Sequence, residues 1–180
     1  MEALIFLTTG FEEIEALATI DIMRRGGVDI RSVSLVDDKI VASGRNISVI
    51  ADYMFEEVDI DVAQMLILPG GTVKINEHDG LKNKIVEFAK NNKLLAAICA
   101  APMVFGELRL LKGKKATCYP GFEKHLIDAE IIEQPVVVDG NITTARAAGF
   151  TANFALELLS QLKGKEVADD IANKMLIRIN

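Results

Sequence analysis

The chain has 180 residues, half of them apolar and 26% charged, with a net charge of −6 and a pI of about 5.0. That length suits one compact domain with a substantial core, and the whole of 1–180 reads as a single domain. The acidic balance argues against nucleic acid or an anionic membrane as partner, and no apolar run approaches the roughly 20 residues a membrane span needs.

The opening "MEALIFLTTGFEE" has no basic region before its short apolar run, so it does not read as a signal peptide. The cytoplasm is the expected compartment. "ALIFLTT" (3–9) reads as a buried strand. In "EEIEALATIDIMRR" (12–25), Ile14, Leu17, Ala18 and Ile22 recur at helical spacing, and Gly26 and Gly27 stop the helix. "VDIRSVSLV" (28–36) is a second strand. "KIVASGRNISVIAD" (39–52) is an excursion of short strands around Ser43 and Gly44. "QMLILPGG" (64–71) is a strand ending on a glycine pair, and 80–91 is helical.

Residues 94–99 form a strand that leads into Cys99. The helix of 102–111 follows, with Pro102 suited to its first turn. "KKATCY" (114–119) reads as a further strand, "FEKHLIDA" (122–129) as a short helix, and 130–145 as a hairpin turning at Asp139-Gly140. Helices of 151–162 and about 165–177 close the chain, with Gly164 between them.

Strands alternating with helices predict an α/β fold with a mainly parallel central sheet covered on both faces. Ligands of such folds bind beyond the carboxyl ends of the strands. Four strand ends should therefore line one edge: Thr8–Gly10, Pro69–Gly71, Cys99 and Cys118–Tyr119. Two cysteines make no disulfide framework, and neither His78 nor His125 belongs to a metal-ligand spacing. No metal and no cofactor is expected.

Cys99 stands where a strand meets a helix, flanked by the small Ala100 and Ala101, as a nucleophile elbow requires. A free thiol is only roughly 3% ionised at neutral pH, and the N–H groups of the following turn favour the thiolate. The competing reading is an inert core cysteine. Gly70 and Gly71 are either a plain turn or a source of backbone N–H donors for an oxyanion. Glu12 and Glu13 read as solvated acids complementing the helix dipole. Glu15 shares a side with Thr19 and Ile22. Partly buried there, it would hold its proton and could exchange it with a neighbour; the alternative is one more surface acid. Cys118 is either a small core residue or a resolving thiol for an oxidised Cys99.

Three motifs in this order, "GFEEIEA", "LILPGG" and "AAICAAP", resemble those of the ThiJ/PfpI superfamily, in particular the branch of the Parkinsonism-associated deglycase and its bacterial relatives. "LATIDIMRRGG" and "FALELLSQLKGKEVA" extend the resemblance over essentially the whole chain. It implies a flavodoxin-like three-layer sandwich and a homodimer. It places the reactive cysteine on Cys99 and its protonated carboxyl partner on Glu15. It matches Gly70, Gly71 and Ala100 to backbone donors, and Arg45 and Arg146 to arginines near the pocket.

Departures limit what carries over. Tyr119 stands where relatives often have histidine, so a Cys-His mechanism is in doubt. His125 and His78 read as surface and loop residues. "AAG" (147–149) replaces a glycine-proline-glycine, so that part of the pocket should differ. Ala100 replaces the histidine of the protease-like branch, which argues against peptidase activity. The resemblance thus implies a glutathione-independent enzyme acting on a small aldehyde or glycated substrate. The alternative is a redox sensor or stress chaperone working through oxidation of Cys99. "TTGFEE" is not a nucleotide-binding loop.

Overall fold

The apolar run Ala3–Leu7, buried at every position, forms the central strand β1. The computed structural model describes residues 1–178. Helix α1 (Glu13–Arg25) returns the chain to β2 (Ile30–Ser34), and the hairpin β3 (Ile40–Ala42) and β4 (Ser48–Ile50) follows. Then come β5 (Tyr53–Met54), β6 (Met65–Leu68), α2 (Asp79–Lys90), β7 (Leu94–Ile98) and α3 (Pro102–Glu107). A small sheet of β8 (Lys115–Ala116) and β9 (Glu130–Ile131) precedes the hairpin β10 (Val136–Asp139) and β11 (Ile142–Ala145). Helices α4 (Thr151–Lys163) and α5 (Lys165–Lys174) complete the fold.

The main sheet runs β10-β11-β7-β6-β1-β2-β5, parallel except for β10. Alternation along the strands makes two cores. Ala3, Ile5 and Leu7 join Met65, Ile67, Ala96 and Ile98 under α1, α4 and α5. Leu4 and Phe6 join Leu66, Leu68, Leu95 and Ala97 under α2 and α3. This is the expected three-layer sandwich. The connection from β1 goes outward to β2, and the chain then returns to place β6 on the other side of β1. That reversal is the topological switch point, where open α/β sheets bind ligands beyond their strand ends.

Several elements differ from the sequence reading. Ile14 (56% exposed) and Leu17 (37%) face outward on α1, although their spacing marks a core stripe. The buried face is instead Glu15, Ala16, Thr19, Ile20, Ile22 and Met23. Two overlapping faces compete in this sequence. Close packing on α4 selects the second, because Gly26 lies against Leu159 so tightly that any side chain there would collide with it.

Helix α3 stops at Glu107 rather than 111. Arg109 takes a left-handed φ of 61°, and Leu110 N–H bonds back to Phe105 C=O at 2.9 Å, a Schellman-type stop. Leu176 (φ 55°) and the Ile177-to-Ala172 bond end α5 at Lys174 in the same way. The run 114–119 gives only the two residues of β8, outside the main sheet. The place beside β7 is taken by β11, and Thr117 N–H bonds to Thr144 Oγ1 at 3.0 Å instead of a ladder. The segment 122–129 holds one 3₁₀ turn, Glu123–His125, not a helix. The edge strand β5 has no signal in the sequence at two residues' length.

Candidate active site

Three of the four strand ends converge as expected. The turn after β1 carries Gly10 and Glu12, the turn after β6 carries Gly70 and Gly71, and Cys99 follows β7. Cys118–Tyr119 joins them through a loop instead of a sheet strand.

The elbow holds Cys99 in a left-handed conformation, φ 65°. A side chain costs energy there, and the surrounding bonds hold it in place. Cys99 N–H donates to Ala145 C=O at 2.9 Å, and Cys99 C=O accepts from Tyr119 N–H at 2.7 Å. Ala101 N–H closes the turn onto Ile98 C=O at 3.1 Å. The cysteine is partly exposed, which suits a reactive group more than a core filler.

Glu15 is fully buried. Its Oε2 accepts from Gly70 N–H at 2.7 Å. Glu12 caps α1, its own carboxylate accepting from Glu15 N–H at 2.7 Å, and Glu12 N–H donates to Gly70 C=O at 2.9 Å. The start of α1 is thereby stitched to the end of β6. Gly70 is required for this closeness: a Cβ there would stand 2.7 Å from Cys99 Cβ and 2.9 Å from Glu15 Oε2. Gly71, at φ 91°, abuts the Gly10–Glu12 turn, with a Cβ 2.7 Å from Gly10 C=O.

Burial pushes the Glu15 carboxyl up to about 7. The N–H of Gly70 and a hydrogen bond from the Cys99 thiol oppose that rise, and the Glu12 carboxylate adds to it. Burial also pushes the Cys99 thiol up to about 12. The Glu15 carboxylate adds to this rise by its charge and by accepting the thiol proton, against the N–H groups of Ala100 and Gly71. The elbow's donors therefore do favour the thiolate, but burial outweighs them. In this state a carboxylate faces a thiol. When Glu15 holds the proton, both of its contributions to Cys99 vanish, and the carboxyl becomes a donor to sulfur. The pair is coupled, and the position of one proton sets the reactivity of the thiol.

The remaining candidates divide. The N–H groups of Gly71 and Ala100 act on the Cys99 thiol to lower its pKa, whereas the Gly70 N–H is committed to Glu15. Tyr119 is 46% exposed and contributes its backbone to the elbow. Arg45 is exposed at the β3–β4 turn, its guanidinium donating to Gly44 C=O at 3.4 Å. Arg146 is half-buried, 3.8 Å from Glu133, and its charge acts on Cys118. Cys118 is 4% exposed and packs in the α2–α3 core, whereas Cys99 packs against the α1–α4 core. Burial pushes its thiol up to about 12, with Glu123 adding and Arg146 opposing. Opposite layers favour the core reading over a resolving thiol.

Two solvated residues turn out to be structural. Glu13 is 9% exposed, and His78 caps α2, its Nδ1 accepting from Leu81 N–H at 3.0 Å with the ring against Phe55. His125 meets Glu107 at 2.8 Å near the surface. The backbone clamps at Ala145 and Tyr119 were not legible in the sequence, because they follow from the register of β11 and the path of a loop. Among the described residues no cluster of His, Cys, Asp and Glu could hold a metal ion, and no helix is long and apolar enough to cross a membrane.

The sequence pattern of the DJ-1/PfpI family matches residues 1–161. The chain is 36% identical to Protein DJ-1 homolog A of Arabidopsis thaliana over 98% of its length. It spans about half of that relative, 47%. It is 30% identical to a deglycase of Pyrococcus abyssi, covering 91% of this chain and 100% of that one. The structure of oxidised Toxoplasma gondii DJ-1 superposes with a TM-score of 0.94 at 31% identity, over 99% of both chains.

Proposed function

This chain is a member of the DJ-1/PfpI family, and we propose that it is a cysteine-dependent enzyme acting on reactive carbonyls, working as one domain in the cytoplasm. The observation that carries this reading is the buried Glu15 carboxyl hydrogen-bonded beside the strained Cys99.

In the reactive form Glu15 holds the proton and Cys99 is a thiolate. The sulfur attacks the aldehyde carbon of a 2-oxoaldehyde and forms a hemithioacetal. The N–H groups of Gly71 and Ala100 stabilise the oxyanion, and Glu15 delivers its proton to it. The Glu15 carboxylate then moves a proton from that carbon to the neighbouring carbonyl carbon through an enediol, leaving a thioester. Water releases a 2-hydroxy acid and restores the thiol. The sum is aldehyde plus water, with no external oxidant or reductant. The same attack on a glycated amine would give deglycase activity, in keeping with the name of the Pyrococcus relative.

The test is turnover of methylglyoxal by wild type, Cys99→Ala and Glu15→Gln, followed by loss of the aldehyde and appearance of lactate. Both variants should fall to background. Equal consumption by wild type and Cys99→Ala would end this reading.

One observation favours a second reading, a redox sensor or stress chaperone. Of the two cysteines only Cys99 is partly exposed, and its sulfur faces two backbone N–H groups and a carboxyl that would bind a sulfinate. Mild peroxide should then add two oxygens to Cys99 and leave Cys118 untouched.

The exposed Ile14 and Leu17, with Ile47 and Ile50 on the neighbouring hairpin, support a homodimer. Phe11 bridges to Ser43, which puts the hairpin against the start of α1, and Arg45 lies at its turn.

A further inference from the structure

Among the described residues only two buried side-chain oxygens have no hydrogen-bond partner, Glu15 Oε1 and Thr19 Oγ1. Both residues are fully buried, and they stand four apart on α1, on the one face that packs inward. Residues at this spacing lie one above the other, with side chains tilted toward the helix N-terminus, so Thr19 sits directly beneath Glu15. Its other neighbours on that face are Ala16, Ile20 and Met23, all apolar. A buried hydroxyl without a partner costs stability that valine, of the same shape, would avoid, and no backbone carbonyl of α1 takes its proton.

The carboxyl has an uneven need. Oε2 keeps the Gly70 N–H in either protonation state. Oε1 must be served separately, and its need changes when the proton moves to Cys99. The acid's one proton faces the sulfur, so the Thr19 hydroxyl serves Oε1 as a donor, and that bond is strongest when the group is a carboxylate.

We propose that Thr19 is a positioning residue for Glu15, its hydroxyl serving Oε1 as the carboxyl gains and loses its proton. The contact forms by a turn about Thr19 χ1 or through one intervening water molecule. This deepens the proposed chemistry and rests on Glu15 being the proton-transfer group. The titratable groups that act on Glu15 are Glu12, on its own helix, and Cys99, at the elbow; Gly70 on the β6 side contributes only its N–H.

The test is the rate of Cys99 alkylation by iodoacetamide against pH, in wild type, Glu15→Gln, Thr19→Val and Thr19→Ser. Losing a donor to the carboxylate disfavours the charged form. The inflection due to Glu15 should therefore move to higher pH in Thr19→Val, by about one pH unit for one hydrogen bond to a charged group. Thr19→Ser keeps the hydroxyl and should stay at the wild-type position, whatever small packing loss it carries. A Thr19→Val profile superimposable on wild type would overturn the proposal, as would equal shifts in the valine and serine variants. If Glu15→Gln also leaves the profile unchanged, the proton-transfer role of Glu15 falls with it. If Glu15→Gln abolishes the inflection while Thr19→Val does not move it, only the role of Thr19 fails.

Discussion

Gly70 N–H donates to Glu15 Oε2 at 2.7 Å across 55 residues of sequence, and this bond ties a helix to the end of a strand on the far side of the switch point. It also fixes a buried carboxyl beside a partly exposed thiol, and the cost of burying the carboxyl has a measurable sign.

The Glu15 carboxyl titrates near 4.5 when unfolded and near 7 when folded. Between those values the folded protein binds more protons than the unfolded chain, so stability falls as pH rises. This contribution is fully present below about 4.5 and is lost as pH passes through 7. Glu15→Gln does not titrate. Its stability relative to wild type should therefore rise between pH 5 and pH 8, by on the order of 2–3 kcal/mol. Urea unfolding at the two pH values measures it. A pH-independent difference would mean that Glu15 titrates as an exposed acid.

Gly70→Ala tests the close approach that brings Cys99 and Glu15 together. The added carbon would lie 2.7 Å from Cys99 Cβ and 3.1 Å from Ala100 N, both fixed by the backbone, and 2.9 Å from Glu15 Oε2, which the Gly70 N–H holds in place. Over-packing at such a site costs about 1–3 kcal/mol. Carbonyl turnover should fall further than this stability loss suggests, by about a hundredfold, because a 1 Å displacement of reacting groups has that effect. A variant with wild-type turnover would show that the elbow does not need this spacing.

Cys99→Gly separates stability from chemistry. Cys99 sits at φ 65° with both backbone groups clamped, and glycine adopts that conformation without penalty. The variant should gain about 1 kcal/mol in stability, and Cys99→Ala, which keeps the side-chain penalty, should not. Thermal unfolding of the two variants side by side reads the difference. If glycine is no more stable than alanine, the elbow stores no strain.

The sandwich and the elbow were legible in the sequence because both are local. Short apolar runs alternate with helical patterns, and Cys99 falls at a boundary between them. The side of α1 shared by Glu15, Thr19 and Ile22 could be drawn, but its burial could not. The stripe through Ile14 and Leu17 looks equally apolar, and the packing on α4, closest where Gly26 meets Leu159, decides between them. The thiol's environment was misjudged for a similar reason. The donors of a turn can be read from sequence, whereas the burial that outweighs them comes from the tertiary fold. The path of Cys118 and Tyr119 depends on β11 occupying the edge of β7, a choice of partner that no local pattern carries.

The face left over on α1 makes the last prediction. Ile14 at 56% and Leu17 at 37% exposure, one turn apart on α1, leave an apolar patch on a chain of net charge −6, and Ile47 at 49% is exposed on the hairpin that Phe11 bridges to the start of that helix. A patch of this kind marks an interface, and a two-fold contact would use it on both copies at once. Replacing Ile14 and Leu17 together by glutamine removes up to about 1.5–3 kcal/mol of burial per side chain on each copy, so dimer dissociation should rise by well over about a hundredfold. Light scattering during gel filtration should give twice 19.6 kDa for wild type and 19.6 kDa for the variant at the same micromolar concentration. Neither side chain belongs to the elbow, so folding by circular dichroism should be retained. A wild-type protein that runs as a monomer across the concentration range would leave this face to another partner and refute the homodimer. A variant that stays dimeric would move the interface elsewhere on the surface.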